Sequence, residues 1–104
     1  MSKALECSGW KAVHDWQPVR PGKLTVTGVC NMPTPGYRVV LKRKVPQGIN
    51  PAILLLEKEV IRPQGPHPQV ITPTPVSYEE VTQEKFKNIT IVPDNTTFDV
   101  QDVH

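Results

Sequence analysis

The stretch KLTVTGVCN, residues 23–31, decides the fold class because its side chains alternate with a period of two. One face consists of Leu24, Val26, Gly28 and Cys30, and the other contains Thr25, Thr27 and Val29. Val, Ile and Thr make up 29 of the 104 residues, and β-branched side chains favour the pleated surface of a sheet. The stretch therefore predicts a strand with one buried face.

Similar short runs lie on both sides of this strand, separated by turns rich in Pro, Gly and Asn. Twelve prolines leave no stretch long enough for several long helices. We predict an all-β domain, a two-sheet immunoglobulin-like β-sandwich of about seven short strands, with a small β-barrel as the alternative. The strands are expected at residues 9–16, 23–31, 37–45, 51–61, 76–81, 88–92 and 97–100. A short edge strand at 69–72 and one helical turn at 82–86 are also expected, in a single domain 1–104 frayed at 1–8 and 101–104.

Composition and charge narrow the function classes. A net charge of +2 is weak for a nucleic-acid-binding protein, and the longest apolar run, residues 52–56, is too short for a membrane span. The first residues lack the apolar segment of a signal peptide, which favours a cytoplasmic location unless the sequence was trimmed. In that compartment free thiols at Cys7 and Cys30 are favoured over a disulfide.

The chain contains no catalytic or metal-binding motif with the spacing that such motifs require. We therefore expect no catalytic residues, no metal, no cofactor and no enzyme activity. The remaining enzyme hypothesis is a small Cys-centred site, in which Cys30 and His14 form a dyad if the first two strands pair.

Two neighbouring strands carry charges that suit each other. Arg38, Lys42 and Lys44 share one face of residues 37–45, while Glu57 and Glu59 follow on the next strand. An antiparallel hairpin would place these opposite charges across from one another, so this face is predicted to be solvated and self-paired.

The same face also carries the apolar residues Val40, Ile53 and Leu55. Either the N-terminal segment with Trp10 and Trp16 covers them, which we favour, or they bind a partner. The partner hypothesis includes a second copy of the chain, so we expect a monomer or a weak homodimer.

Proline-rich loops are the second candidate binding element, because stiff loops on a rigid scaffold lose little entropy on binding. Such loops occur at residues 32–36 and 62–75. We predict a non-enzymatic protein-interaction module that binds a protein partner, with a peptidase as one candidate, and that binds neither nucleic acid nor membrane. The candidate binding residues are Pro33, Thr34, Pro35, Gly36, Tyr37, Arg62, Pro63, Val40, Ile53 and Leu55.

The turn Pro33-Thr34-Pro35-Gly36-Tyr37 resembles a loop of small bacterial β-sandwich modules. Chagasin-type cysteine-peptidase inhibitors carry Asn-Pro-Thr-Thr-Gly-Tyr between two strands, and PrcB-like protease-complex proteins carry Pro-Thr-Gly-Gly-Tyr in a similar place. The matching residues here are Pro33, Thr34, Gly36 and Tyr37, and Arg62-Pro63 is similar to the chagasin Arg-Pro-aromatic loop, with Gln64 in place of the aromatic residue. The resemblance implies a β-sandwich and, as the alternative function, a peptidase inhibitor or protease-complex subunit.

Overall fold

A computed structural model describes residues 6–16, 22–66, 68–92 and 94–103. Its seven strands confirm the predicted all-β class and strand number. No helix in the described residues is long and apolar enough to cross a membrane. The strands are β1 Glu6–Asp15, β2 Gly22–Met32, β3 Arg38–Arg43, β4 Ile53–Ile61, β5 Thr72–Thr82, β6 Asn88–Val92 and β7 Thr96–Val103.

The strands form one sheet in the order β3-β4-β6-β7-β1-β2-β5. The β1–β7 and β4–β6 pairs are parallel and the other pairs are antiparallel. The two edge strands, β3 and β5, pack beside each other, and an ion pair between Arg43 and Glu80 links them. The sheet is therefore nearly closed, as in the small-barrel alternative. The two-sheet immunoglobulin-like arrangement is not confirmed, because β7 pairs with both β1 and β6 and joins all seven strands.

The core lies inside this curved sheet and follows the predicted alternation. On β2 every second residue from Gly22 to Met32 is buried. Leu54 and Leu56 of β4 and Ile89 and Ile91 of β6 have no exposed surface. Burial of one face per strand is what the period of two in the sequence requires.

β5 differs from the prediction, since it is one strand of 11 residues that runs through Pro73 and Pro75. These two prolines pair with Asn31 and Val29 of β2. Proline has no N–H to donate to a neighbouring strand. Pro73 and Pro75 are two residues apart, so their nitrogens lie on the same side of β5, and because β5 is an edge strand that side can be the one away from β2. The separate edge strand expected at 69–72 therefore does not form.

No helical turn forms after β5. The Thr82 hydroxyl accepts a hydrogen bond from the Glu84 amide at 3.1 Å, which is the expected capping contact. The chain then continues as a loop into β6, so the helical turn expected at 82–86 is wrong. Residues 6–8 and 101–103, expected to be frayed, lie in β1 and β7. Residues 1–5 and 104 lie outside the described residues.

Cys7 and Cys30 form a disulfide between β1 and β2, so the prediction of free thiols is wrong. The ladder places them directly opposite each other. The Cys30–His14 dyad is also wrong, because His14 pairs with Leu24 at the other end of the same ladder. Cys30 is fully buried and disulfide-bonded, which removes the thiol that a Cys-centred enzyme would need.

A β-bulge in β1 determines where the first tryptophan lies. The register shifts between Ser8 and Lys11, and Gly9 adopts a positive φ of 67° at this point. Trp10 then lies over Gly28 and stacks on Phe98, with ring centroids 5.7 Å apart. A side chain at position 28 would collide with this ring, which is why the buried face of β2 contains a glycine here.

Candidate functional site

The two proline-rich loops predicted as binding elements emerge at one end of the barrel, here called the loop end. Through the ladders that connect them, β2 and β4 run in the same direction. The β2–β3 loop (33–37) and the β4–β5 loop (62–71) therefore begin side by side. Tyr37 and Arg62 flank the last β3–β4 pair, Arg38 with Ile61, so the register places them across from each other.

A hydrogen bond holds the two loops together. The Thr34 hydroxyl donates to the backbone carbonyl of Pro68, 34 residues away. Gly36 has a φ of 97°, a left-handed conformation that favours glycine, at the turn that leads into β3. The turn chemistry of the sequence and this cross-loop bond together set the shape of the loop end.

Between the loops lies an open cleft with a volume of about 390 Å³, within the roughly 300–1,000 Å³ that is usual for ligand clefts. Four of the predicted binding residues line it: Thr34, Tyr37, Arg62 and Pro63. Pro33, Pro35 and Gly36 belong to the same turn but are not lining residues. Sequence reasoning did not single out the other lining residues, Gly65, Pro66 and Gln69, although all three fall in the predicted loop 62–75.

The cleft combines one positive charge with apolar surface. Among the described residues no acidic side chain pairs with the exposed Arg62. Tyr37 is half-buried and packs against the core, which fixes its ring. Val70 and Ile71 follow the cleft along the chain and are 56% and 50% exposed. The arrangement can thus offer a fixed ring, a free guanidinium and an adjoining apolar strip.

The predicted apolar face of Val40, Ile53 and Leu55 does not form one exposed patch. Val40 is exposed, but the other two are half-buried. A Cβ added at Gly48 would lie 3.3 Å from the Leu55 side chain, and Ile53 lines a small cleft together with Ile49 and other residues of the β3–β4 loop (44–52).

The chain therefore covers part of this face itself, but not with the predicted segment. Trp10 lies over Gly28, and Trp16 is buried against His14, with ring centroids 3.7 Å apart. Trp10 thus contacts β2 and β7, and Trp16 contacts His14 and Asp102, instead of the Val40, Ile53 and Leu55 face that the two rings were predicted to cover.

A single glutamine holds the covering loop in place. The Gln47 amide donates to the carbonyl of Lys44 at 2.6 Å and to that of Leu55 at 2.9 Å, and its oxygen accepts from the Leu55 N–H at 2.9 Å. The side chain thus links loop 44–52 to β4, next to the backbone bond from the Lys44 N–H to the Leu55 carbonyl at 3.0 Å. Sequence reasoning did not identify this residue, because nothing local to position 47 signals a contact with Leu55.

The charged hairpin is paired in part as predicted. Lys42 lies 3.5 Å from a Glu57 oxygen and 3.4 Å from a Glu59 oxygen. The hydrogen bond and the charge of Glu59, followed by those of Glu57, raise the pKa of the Lys42 ammonium. This face is exposed, and the two glutamates neutralise Lys42, whereas Arg38 and Lys44 have no carboxylate partner among the described residues.

The β3–β5 closure contains a second charged cluster. Tyr78 donates a hydrogen bond to Glu80, which also pairs with Arg43. Burial, followed by the hydrogen bond to Glu80 and its negative charge, raises the pKa of Tyr78 to about 12. Burial lowers the pKa of the Arg43 guanidinium, but the hydrogen bond and charge of Glu80 more than offset this, so the net shift is upward. These groups join the barrel edges and are not part of the cleft.

A larger cleft of about 660 Å³ lies at the opposite end, where the β5–β6 loop meets β7. Several of its polar groups already bind other protein groups. Asn88 donates to Asp99 at 2.6 Å, and the Trp16 indole N–H donates to Asp102 at 3.1 Å. In the described residues no group of three or more His, Cys, Asp or Glu side chains could hold a metal ion. The loop-end cleft, with its unpaired Arg62, is therefore the better candidate site.

Comparison with protein-family models, with curated proteins and with solved structures finds no match to this chain.

Proposed function

We propose that this protein is a non-enzymatic interaction module that binds a polypeptide segment of a partner protein in the loop-end cleft. The observation that carries this proposal is the convergence of two proline-rich loops on one cleft, held by the Thr34–Pro68 hydrogen bond. Loops that are stiffened by proline and by a cross-loop bond lose little conformational entropy when a partner binds.

The shape of the cleft favours a chain segment over a small molecule. It is open to solvent, and its lining residue Gln69 is followed in the chain by a short strip of two exposed apolar residues, Val70 and Ile71. A segment of a partner could fill the cleft and extend along this strip. A small ligand would leave the strip exposed.

The test is affinity capture from a lysate with matched variants, followed by direct binding of the captured partner. Tyr37→Ser removes the ring of the cleft, and Thr34→Val removes the cross-loop bond with little change in volume. Ile49→Ser is the control, since Ile49 is fully exposed at the opposite end. We expect a partner that binds the wild type and Ile49→Ser with one-to-one stoichiometry by calorimetry, and that both cleft variants lose. A partner list that is unchanged in the cleft variants would overturn the proposal.

A second candidate function is peptidase inhibition or membership of a protease complex. It is favoured by one observation: four of the six residues that carry the resemblance to chagasin-type inhibitors line the same cleft, namely Thr34, Tyr37, Arg62 and Pro63. Titration against a panel of papain-like peptidases tests it. Stoichiometric inhibition that Tyr37→Ser abolishes would support this function, and no inhibition at micromolar protein would exclude it.

A further inference from the structure

Arg62 is the one charged side chain among the described residues that line the loop-end cleft. It has no hydrogen bond, ion pair or ring contact within the described part of the chain. Its guanidinium is a permanent cation whose planar fork of donors matches a carboxylate. The electrostatic complement of this cleft is therefore an anion.

Tyr37 adds a second polar group at the same place. The register puts it across from Arg62, and its hydroxyl has no hydrogen-bond partner among the described residues. A phenol can donate a hydrogen bond to a carboxylate, and a guanidinium can donate two. Together the two side chains can satisfy a carboxylate from two directions.

The cleft also has an apolar part beside the polar side chains of Thr34 and Gln69. Pro63 and Pro66 line the cleft with Arg62, and the exposed apolar residues Val70 and Ile71 follow the lining residue Gln69 in the chain. Aliphatic or proline side chains that flank a carboxylate would cover this surface and exclude water from the ion pair, which strengthens it.

We propose that the cleft takes an extended peptide in which a carboxylate, bound by Arg62 and Tyr37, is flanked by aliphatic or proline residues. This assignment rests on the proposed function and narrows it to one class of ligand. A lysine or arginine at the carboxylate position would be rejected because it would face the unpaired guanidinium.

The experiment is a selection from a displayed library of random heptapeptides against the full chain. Enriched peptides are then titrated by fluorescence polarisation against the wild type and three variants. Arg62→Gln removes the cleft charge and Arg62→Lys keeps it without the fork. Arg38→Gln is the matched control, because Arg38 is also exposed and lies at the same end but does not line the cleft.

The expected result is enrichment of Asp or Glu next to aliphatic or proline residues. Arg62→Gln should then weaken binding by about tenfold or more, Arg62→Lys by less, and Arg38→Gln by no more than about twofold. Equal weakening by Arg62→Gln and Arg38→Gln would show only diffuse electrostatic attraction and would overturn the assignment.

Failure of this assignment is distinguishable from failure of the proposed function. Peptides that have no acidic residue and an amidated C-terminus, that bind the wild type and that are lost in Tyr37→Ser would overturn the carboxylate assignment and leave the cleft as a peptide site. Enriched peptides that bind Tyr37→Ser and Thr34→Val as well as the wild type would overturn both.

The carboxylate can come from a side chain or from a peptide C-terminus. Each enriched peptide is therefore synthesised with a free and with an amidated C-terminus, and with Glu replaced by Gln. Loss of binding on amidation assigns a terminal carboxylate, and loss on Glu replacement assigns a side chain. Binding that survives both changes would overturn the proposal.

Discussion

Replacing Gly28 with alanine should destabilise the barrel through one contact. A Cβ built at this position would lie 2.4 Å from a carbon of the Trp10 ring, with two more ring atoms within 3 Å. The ring would have to retreat by about 1 Å to reach an ordinary contact of 3.4 Å. Its stacking on Phe98 opposes that movement, because the two planes are nearly parallel, at 5°.

The expected loss follows from two opposing terms. Overpacking of this kind destabilises the folded state by about 1–3 kcal/mol. Alanine in a strand stabilises it by roughly 0.5–1 kcal/mol relative to glycine, because alanine loses less backbone entropy on folding. Trp10 is partly exposed and can yield somewhat, so we expect a net loss of about 1–2 kcal/mol in the free energy of unfolding. Urea denaturation followed by circular dichroism measures this loss.

A double-mutant cycle decides whether the ring is the cause. Gly28→Ala in a Trp10→Leu background should cost less than about 0.5 kcal/mol, since the obstructing atoms are gone. Gly65→Ala is the control: nothing lies near its Cβ, so its cost arises from its φ of 82° alone and should be the same in both backgrounds. A Gly28→Ala loss that persists in the Trp10→Leu background would refute the reasoning.

Three further predictions concern other parts of the barrel. The native protein should show no free thiol with a colorimetric reagent, and joint replacement of Cys7 and Cys30 by serine should cost about 3–4 kcal/mol, given a sequence separation of 23. Reaction of two thiols in the native state would contradict the disulfide. Gln47→Ala should cost about 1–3 kcal/mol in urea denaturation, because it removes the Gln47 partners of the Lys44 carbonyl and the Leu55 N–H; a loss within about 0.3 kcal/mol would show that water replaces the amide. In an ultraviolet titration Tyr78 should ionise near pH 12, an absorbance step that Tyr78→Phe removes. Because this pKa is raised in the folded state, its stabilising contribution is complete below pH 10 and is lost as the pH rises from about 10 to about 12. A Tyr78 step near pH 10 would contradict the burial and the bond to Glu80.

Much of the strand content was predictable from the sequence because it depends on local patterns. The alternation of Leu24, Val26 and Cys30 predicts which face of β2 is buried, and the structure agrees. The pairing of Lys42 with Glu57 and Glu59 was also predictable, since two strands joined by a short loop form a hairpin whose charges face each other.

The predictions that were wrong depended on contacts between residues far apart in the sequence. Proline was expected to interrupt the chain before β5, but the edge position of this strand accommodates Pro73 and Pro75. The rule that links thiol state to compartment favoured free cysteines, yet the β1–β2 register placed Cys7 opposite Cys30. Neither the edge position nor the register can be read from neighbouring residues.

The candidate site also combines features that local sequence predicts with features that depend on contacts between distant residues. Proline content predicted that both loops are stiff, and the resemblance to chagasin-type loops added Tyr37 and the Arg62-Pro63 pair to the candidate binding residues. The sequence could not show that the loops adjoin, that Thr34 bonds to Pro68, or that loop 44–52 covers part of the other predicted face.

The sequence by itself determined the all-β class, the strand-forming stretches and their buried faces, because backbone preference and a period of two act over a few residues. Only the tertiary structure decided the strand order, the parallel β1–β7 and β4–β6 pairs, and the near-closure of β3 on β5. The strand order and pairing depend on which arrangement of all seven strands encloses one core. The free energy of that arrangement depends on contacts throughout the chain and not on a few neighbouring residues. The convergence of two distant loops on one cleft is a consequence of that arrangement.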